Sequence, residues 1–171
     1  MMFSGDTGGR QQRFEQVAMP NSESLLRTAL RLCGRRHEAE DLVQEAMLRA
    51  WKSFDQFDPG TNCKAWLFTI MLNVFYSQVR RARPHVDIEG MDVPALHRTD
   101  EAALAREVLA AVDRLDENQR LVLMLATIEG FTIEEVSSML RIAPGTVASR
   151  LGRARSKLRT ALRIGKDRIA V

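Results

Sequence analysis

The sequence predicts an all-α protein: two small helical domains joined by a flexible linker. Apolar residues recur at the spacing of an α-helix along most of the chain, and no stretch shows the strict alternation of a β-strand. Two prolines and the lack of a helical period mark Arg83–Thr99 as a linker between two helical halves. The chain has 171 residues, 45% of them apolar and 27% charged, which suits two small folded domains better than a disordered chain.

The first half is predicted to hold three helices behind a flexible N-terminus. The N-terminal residues contain Gly, Gln and Ser without a clear period, so we expect them to be flexible. Asn21 or Ser22 can cap a first helix, which stops near Gly34. The second helix has the clearest period in the chain, because its apolar residues are separated alternately by three positions and by one. These residues are Ala39, Leu42, Val43, Ala46, Met47, Ala50, Trp51 and Phe54.

A loop is predicted before the third helix. Residues 55–62, DQFDPGTN, contain a Pro-Gly pair and turn-forming Asp and Asn. Asn62 is a good N-cap for a helix from Cys63 to about Arg81, which must end before Pro84. The predicted boundaries are therefore a flexible N-terminus over residues 1–20, a first domain over 21–83, a linker over 84–99 and a second domain over 100–171.

The second half is predicted to end in a helix-turn-helix. A fourth helix covers about Asp100–Leu115, and a fifth starts at DENQ, residues 116–119, and ends at Gly130. Thr132 caps a sixth helix, and two Glu in its first turn complement the helix dipole. A three-residue turn, Arg141–Ala143, leads to a last helix whose first turn contains a proline.

Charge is distributed unevenly along this second half. The whole chain has a net charge of +3, yet residues 141–171 hold nine Lys or Arg and one acid, whereas residues 101–140 hold eight acids and three Arg. The second helix of a helix-turn-helix contacts base edges and phosphates in the major groove of DNA. Here it is predicted to project Thr146, Ser149, Arg150 and Arg153 outward, with Arg155 and Lys157 continuing the charge. The pattern favours DNA binding, although a solvated helix face or a protein contact would also produce it.

Two further surfaces are predicted in the first half. The second helix carries Asp41, Gln44, Glu45 and Leu48 outside its apolar stripe. This polar face with one leucine is either a solvated face or a protein contact. The third helix carries Trp66, Phe68, Phe75 and Tyr76, with Asn73 among them and Arg80 and Arg81 at its end. Such rings pack in a core, which we expect for Trp66 and Phe68, or stack on unpaired bases.

Several other classes of protein are disfavoured by the sequence. Cys33 and Cys63 form no CxxC pattern and the three histidines lack metal-ligand spacing, so we expect no disulfide, no metal site and no cofactor. There is no phosphate-binding glycine loop and no catalytic grouping, so we expect no enzyme. No apolar run approaches the roughly 18 residues of a membrane span and there is no signal core, so we expect a cytoplasmic protein without membrane insertion.

Three segments carry a resemblance to a known family: AEDLVQEAMLRAW from Ala39, FDPGTNCKAWLFTIMLNVFYSQVRR from Phe57 and LDENQRLVLMLATIEGFTIEEVSSMLRIAPGTVASRLGRARSKL from Leu115. In this order they resemble the sigma factors of bacterial RNA polymerase, most of all the small extracytoplasmic-function (ECF) group. The first is similar to the polymerase-binding segment and the second to the segment that recognises the −10 promoter element. The third is similar to the domain that binds the −35 element and the polymerase flap. The resemblance covers about residues 22–163 and implies a region 2 helical bundle and a region 4 helix-turn-helix.

The resemblance implies roles for residues of the first domain. Asp41, Gln44 and Glu45, with Leu48 beside them, match positions that face the clamp helices of the largest polymerase subunit. The loop from Phe57 to Asn62 matches the one that holds a flipped −10 base. The −10 contacts on the third helix are Asn73 for a base, Arg80 and Arg81 for the backbone, and Tyr76 as a stacking ring.

In the second domain the resemblance matches Ser149, Arg150 and Arg153 to contacts with the −35 element. Two residues depart from the family pattern. Ala148 stands where the family often has Lys or Arg, and Gly152 stands where it often has a larger side chain. These two positions are therefore where we expect the −35 preference of this chain to differ from that of its relatives.

FDPGTN, AWLFTI and NVFYS resemble the subgroup that drives the general stress response in alphaproteobacteria. In that subgroup a small helical anti-sigma protein holds the sigma factor until a sigma-like response regulator releases it. The implied partners are core RNA polymerase, promoter DNA and an anti-sigma factor. Two alternatives stay open: a stand-alone helix-turn-helix regulator that binds DNA without polymerase, and a sigma-like decoy that binds an anti-sigma factor.

Overall fold

The structure, a computed structural model, describes residues 7–82 and 108–162. The chain divides into two compact units, Met1–Asp92 and Val93–Val171. Every regular element in the described residues is helical, which confirms the predicted all-α class for that part of the chain. The predicted linker, residues 84–99, lies outside the described residues, as does the start of the fourth predicted helix. None of the described helices is long and apolar enough to cross a membrane.

Four helices form the described part of the first unit: α1 Thr7–Ala18, α2 Ser22–Cys33, α3 Arg36–Lys52 and α4 Cys63–Ala82. α3 packs against both α2 and α4 and so forms the centre of the bundle. Its buried residues, Ala39, Leu42, Ala46 and Ala50, follow the predicted stripe. α4 adds the fully buried Phe68, Met71 and Leu72. Because each buried side chain of this size stabilises the fold by about 1.5–3 kcal/mol, this core fixes the exposed faces of α3 and α4 in place.

The predicted flexible N-terminus was wrong for Thr7–Ala18, which form α1. This helix buries Phe14 and Ala18, which lie one helical turn apart. A three-residue 3₁₀ turn then joins α1 to α2, so the chain hardly leaves helical conformation between them. For this reason Asn21 and Ser22 do not cap α2 with their side chains, as the sequence suggested; both side chains donate to carbonyls of the preceding turn.

The described part of the second unit begins with α5, residues 108–113, and continues with α6 Glu117–Leu123, α7 Ile133–Leu140 and α8 Pro144–Ala161. α6 begins as predicted, because the Asp116 carboxylate accepts a hydrogen bond from the backbone N–H of Asn118 at 3.0 Å. It does not stay α-helical to Glu129, since Met124–Ile128 form a π-helical turn. α8 packs against both α6 and α7. Their shared core contains Leu121, Val122, Leu125, Val136, Val147, Leu151 and Ala154.

Three helix boundaries confirm the signals in the sequence. Gly34 follows α2 with φ of 73°, and Gly130 follows the π-helical turn with φ of 77°, a region that glycine enters at little cost. At the start of α4, Asn62 Oδ1 accepts a hydrogen bond from the backbone N–H of Ala65 at 3.2 Å. The predicted N-cap of α4 is therefore present.

Candidate nucleic-acid and partner interfaces

The exposed face of α3 consists of Asp41, Gln44, Glu45 and Leu48, and we call it the α3 surface. Their spacing of three and four residues places them on one side of the helix. Asp41 and Gln44 are exposed, and Leu48 keeps 55% of its surface in solvent. Glu45 is half-buried, and its Oε1 accepts a hydrogen bond from Arg49 Nε at 2.6 Å. A leucine left in water on a well-packed helix, beside acidic and amide groups, is typical of a contact surface.

We call the predicted loop, Asp55–Asn62, the −10 loop; its part from Phe57 to Asn62 is the predicted base-binding part. Asp55 and Gln56 are not irregular as predicted but belong to a 3₁₀ turn, Phe54–Gln56, and the rest of the loop is shaped by its own polar groups. The Asp58 carboxylate accepts a hydrogen bond from the backbone N–H of Gly60 at 2.9 Å. The Asp58 carbonyl accepts two more, from the backbone N–H of Thr61 at 2.9 Å and from its hydroxyl at 2.7 Å. An aspartate that bonds to the backbone two residues on fixes a turn locally. The conformation of the loop is thus encoded within it.

Phe57 connects the −10 loop to the helices around it. Its ring stacks on Phe54, with centroids 6.0 Å apart and planes 11° apart, and contacts the Trp66 ring at 5.0 Å. Phe57 and Trp66 are both half-buried, whereas Phe68 is fully buried. The expected core role is therefore confirmed for Phe68. Trp66 instead supports Phe57, which still presents part of its ring to solvent.

α4 carries the other predicted −10 residues along one side. Asn73, Tyr76 and Arg80 follow a spacing of three and four residues, which puts them on one face, and Arg81 lies on its flank. Asn73 and Tyr76 are half-buried, and the Tyr76 ring meets the Phe75 ring edge-on at 5.5 Å. Arg80 and Arg81 are exposed. The face thus runs from an amide and a ring to two cations, groups that suit a base edge, a base plane and a phosphate.

Sequence reasoning missed one element beside this surface, the helix α1. Arg10 of α1 lies over the Trp51 ring, with its guanidinium carbon 4.2 Å from the ring centroid. The same guanidinium donates to Asp55 Oδ1 at 2.9 Å and to the Trp51 carbonyl at 2.6 Å. A cavity of about 380 Å³ separates α1 from the −10 loop and is lined by Arg13, Gln16, Val17, Phe54, Asp55, Phe57 and Pro59. The only sequence signal for α1 was the four-residue spacing of Phe14 and Ala18.

The helix-turn-helix of the second unit is fixed at both ends of α7. Thr132 Oγ1 accepts a hydrogen bond from the backbone N–H of Glu135 at 3.1 Å, and Glu135 Oε2 accepts one from the backbone N–H of Thr132 at 2.9 Å. This reciprocal capping box satisfies two N–H groups at the start of the helix. After α7, Arg141 adopts a left-handed conformation with φ of 54° and ψ of 44°. Ser137 holds this turn, since its hydroxyl donates to the Ile142 carbonyl at 2.6 Å.

α8 presents four of its six predicted DNA contacts on one side, which we call the α8 surface: Thr146, Ser149, Arg153 and Lys157. Ser149, Arg153 and Lys157 are exposed and Thr146 is half-buried. Arg155 is also exposed, but it lies about half a helical turn from Thr146, on the opposite side of α8, so it is not part of this surface. Arg150 is half-buried, and its Nη1 lies 3.4 Å from Asn118 Oδ1, so it is turned towards α6 rather than fully outward.

Both cysteines of the first unit are free thiols. Burial, together with the negative charge of Glu38, raises the pKa of the Cys33 thiol from 9.0 to about 11. Burial also raises the pKa of Cys63. Within residues 7–82 and 108–162, no group of His, Cys, Asp and Glu side chains is placed to hold a metal ion.

Comparison with known proteins assigns each unit to a family. Residues 18–85 match the family model of Sigma-70 region 2, and residues 105–158 match that of Sigma-70 region 4. The chain is 41% identical over 140 residues to the ECF RNA polymerase sigma factor EcfG of Rhodopseudomonas palustris, covering 79% of this chain and 77% of that protein. It is 36% identical over 163 residues to the ECF RNA polymerase sigma factor SigE of Mycolicibacterium smegmatis, covering 85% of this chain and 63% of that protein.

Among solved structures, the chain is similar to the sigma factor RpoE of Bartonella quintana, crystallised in complex with the anti-sigma factor NepR. The TM-score is 0.74 at 31% identity, over 91% of this chain and 99% of that one. The resemblance found in the sequence is therefore confirmed, for both halves and in the same order. The helical bundle of the first unit, the helix-turn-helix of the second unit and the relatives all lead to the same family. The chain belongs to the ECF family of RNA polymerase sigma factors.

Proposed function

We propose that this sigma factor docks on core RNA polymerase through the α3 surface, holds the −10 strand with the −10 loop and α4, and binds the −35 duplex with the α8 surface. One observation carries the proposal. A single chain presents an exposed acidic-apolar helix face and an aromatic loop-helix surface in one unit, and a basic helix-turn-helix face in the other. A protein that only bound duplex DNA would need the last of these surfaces alone.

Docking through the α3 surface is supported by its exposure and by the rigidity of the helix beneath it. Leu48 offers an apolar side chain that is 55% exposed, while Asp41 and Gln44 offer exposed polar groups beside it. The Glu45–Arg49 pair does not prevent contact, because an exposed pair four residues apart contributes only about 0.3–0.5 kcal/mol. Binding polymerase can therefore free Glu45 at little cost.

Capture of the −10 strand is supported by the preformed aromatic surface. Each base that stacks on an aromatic ring gains about 1–3 kcal/mol, and only an unpaired base can do so, so the surface favours the melted promoter. Phe57 is braced by Phe54 and Trp66 and keeps part of its ring in solvent. Asn73 is half-buried and Arg80 and Arg81 are exposed, and we assign Asn73 to a base edge and the two arginines to the phosphates that follow. Asn62 contributes by capping α4, which leaves it a supporting part in the −10 surface.

Binding of the −35 duplex is supported by the position of the α8 surface directly after a well-fixed turn. In a helix-turn-helix, the N-terminal part of the second helix enters the major groove, and Thr146 and Ser149 lie in that part of α8. Arg153 and Lys157 continue on the same side towards the phosphates. Arg150 borders this side, so we assign it to the DNA backbone rather than to a base edge, and we leave Arg155, on the opposite side of α8, without a −35 contact.

Regulation is proposed from the relatives. The relative EcfG and the sigma factor crystallised with NepR are the reason to propose that a small helical anti-sigma protein holds this chain, as in the general stress response. We propose that this chain acts in the cytoplasm, where RNA polymerase and promoter DNA are found. The role needs no catalytic group of its own, because polymerase supplies the chemistry of transcription.

Run-off transcription with core polymerase tests the proposal. Core plus this chain should initiate at promoters of its own genome, whereas either component alone should not. If no promoter is initiated while the chain alone footprints duplex DNA, the chain is a stand-alone regulator. If it binds an anti-sigma protein but not core polymerase, it is a decoy.

Two variants separate the surfaces. Asp41→Lys combined with Gln44→Ala should weaken core binding and leave the affinity for −35 duplex unchanged. Arg153→Ala should leave core binding unchanged and weaken −35 binding. It should also lower the slope of log affinity against log salt by about 0.9, the value for one lost phosphate contact. If both variants weakened core binding and −35 binding alike, the assignment of the α3 surface to polymerase and of the α8 surface to DNA would be wrong.

A further inference from the structure

We propose that α1 sets the position of the −10 loop and that Arg10 is its positioning residue. The inference rests on the proposed function of the −10 loop in holding a base. It adds a region of the chain, Thr7–Ala18, to the machinery that recognises promoters, although this helix carries none of the DNA contacts assigned above.

The contacts of Arg10 join three parts of the first unit. Its guanidinium donates to Asp55 Oδ1, at the first residue of the −10 loop, and to the carbonyl of Trp51, in the last turn of α3. It also lies over the Trp51 ring at 4.2 Å. The side chain of Arg10 is only 22% exposed, whereas that of Asp55 is 72% exposed. One largely covered cation of α1 therefore holds the point where α3 ends and the loop begins.

A series of aromatic rings continues from α1 to the DNA-binding residues. Phe14, next to Arg10 on the inner side of α1, meets the Phe54 ring edge-on at 5.1 Å. Phe54 stacks on Phe57, and Phe57 contacts Trp66 at the start of α4. Because packed rings cannot interpenetrate, a shift of α1 must be passed to Phe54 and then to Phe57. The ring proposed to receive the base is thus the third member of a series that begins on α1.

The cavity between α1 and the −10 loop explains why a specific tie is needed. It has about 380 Å³ of space, with Arg13, Gln16 and Val17 on the α1 side and the loop opposite. The space is an open groove, so the α1 side does not hold Phe57 and Pro59 by close packing. Asp55 lies on the loop side of this cavity, and its bond to Arg10 at 2.9 Å ties that side to α1. Without this bond we expect the loop to move relative to α1 and to carry the Phe57 ring with it.

The test measures −10 strand binding by holoenzyme, which is core polymerase with the full-length chain. The probe is a single-stranded −10 oligonucleotide with a fluorescent base analogue at the flipped position, and a −35 duplex is measured in parallel. Variants are Arg10→Ala, Asp55→Ala and their combination. Arg27→Ala is the matched control, because Arg27 makes an exposed ion pair with Glu23 on α2.

Arg10→Ala and Asp55→Ala should each weaken −10 binding about three- to tenfold, the range expected when contacting residues are uncoupled. The double variant should lose no more than Arg10→Ala alone, because without the guanidinium Asp55 has no bond to Arg10 left to lose. Arg10→Lys should fall between wild type and Arg10→Ala, because an ammonium keeps the charge but not the planar, forked donor geometry. Binding of core and of −35 duplex should not change in any variant, nor should any activity in the Arg27→Ala control.

Amide hydrogen exchange of α1 distinguishes positioning from simple stabilisation. If exchange of α1 rises in Arg10→Ala while −10 affinity stays at the wild-type value, the arginine only anchors the helix and the inference is wrong. Additive losses in the double variant would equally overturn it. If Asn73→Ala also leaves −10 affinity unchanged, the −10 assignment itself fails and the inference fails with it.

Discussion

Replacing the glycine in the middle of the proposed recognition helix should change two quantities in opposite directions: it should raise stability and lower DNA affinity. Gly152 lies in the 18-residue helix α8 and is exposed. Apart from the chain neighbours and the nearby backbone of α8 itself, no atom lies within 4 Å of a Cβ built on it. We therefore expect Gly152→Ala to stabilise the second unit, because the added methyl group restricts the unfolded chain and displaces nothing in the folded one.

The magnitude follows from helix propensity. Glycine is about 0.8–1.0 kcal/mol less favourable than alanine inside a helix, and with no clash to subtract we expect the full gain of about 1 kcal/mol. For a unit of this size that raises the melting temperature by about 4–8 °C. Gly130→Ala is the matched control in the same unit. Its φ of 77° forces alanine into the left-handed region, so the same chemical change should destabilise by about 1–2 kcal/mol.

Thermal unfolding of the full-length chain, followed by circular dichroism, measures both variants. Binding of −35 duplex should respond in the other direction: Gly152→Ala should bind more weakly although it is more stable, because the methyl group stands on the exposed side of α8 beside Ser149. A lower melting temperature for Gly152→Ala would refute the argument that the added methyl group meets nothing in the folded chain. Unchanged DNA affinity would show that close approach of the backbone at this position is not used.

Three further predictions concern other parts of the chain. Leu48→Asp should lower the affinity for core polymerase about tenfold in competition binding, because an interface would bury an unpaired carboxylate. Its free energy of unfolding, measured with denaturant, should stay within about 0.5 kcal/mol of wild type because the site is exposed. Thr132→Ala should cost the second unit about 0.5–2 kcal/mol by removing half of the capping box, and Thr132→Ser should restore it, as read from denaturant midpoints. The rate at which Cys33 reacts with iodoacetamide should follow the thiolate fraction, with its midpoint near pH 11 in the folded chain and near pH 9 in the unfolded one. Because the folded pKa is the higher of the two, the stability linked to this thiol is present below pH 9 and is lost as the pH rises towards 11.

The features that could be predicted from the sequence are those that depend on residues close together in the chain. The stripe of α3 was predictable because Ala39, Leu42 and Ala46 share a face through helical spacing alone. The capping box was predictable because Thr132 and Glu135 stand three residues apart, as the motif requires. For the same reason the positions of the α3 surface and of most of the α8 surface followed from the helical period.

The features that sequence could not predict depend on partners far along the chain. α1 has only a faint pattern of its own, and the contacts that hold it come from far along the chain: Arg10 bonds Asp55, which is 45 residues away, and Phe14 packs against Phe54. Arg150 was expected to point outward, but it meets Asn118, which is 32 residues away. Rules of spacing and propensity act over a few residues, so they cannot predict contacts between residues this far apart in the chain. Such contacts form only when complete helices pack together.

The hydrogen bonds that Asp58 makes within the −10 loop have a consequence for exchanging promoter preference between relatives. Because Gly60 and Thr61 bond to Asp58 rather than to a distant helix, the turn Asp58–Thr61 carries its own conformation with it. Grafted onto another factor, it should keep its shape and need little ordering when it binds DNA. Its placement is not portable in this way, since that is set from α1, so a successful graft would have to bring a compatible N-terminal helix along with the loop.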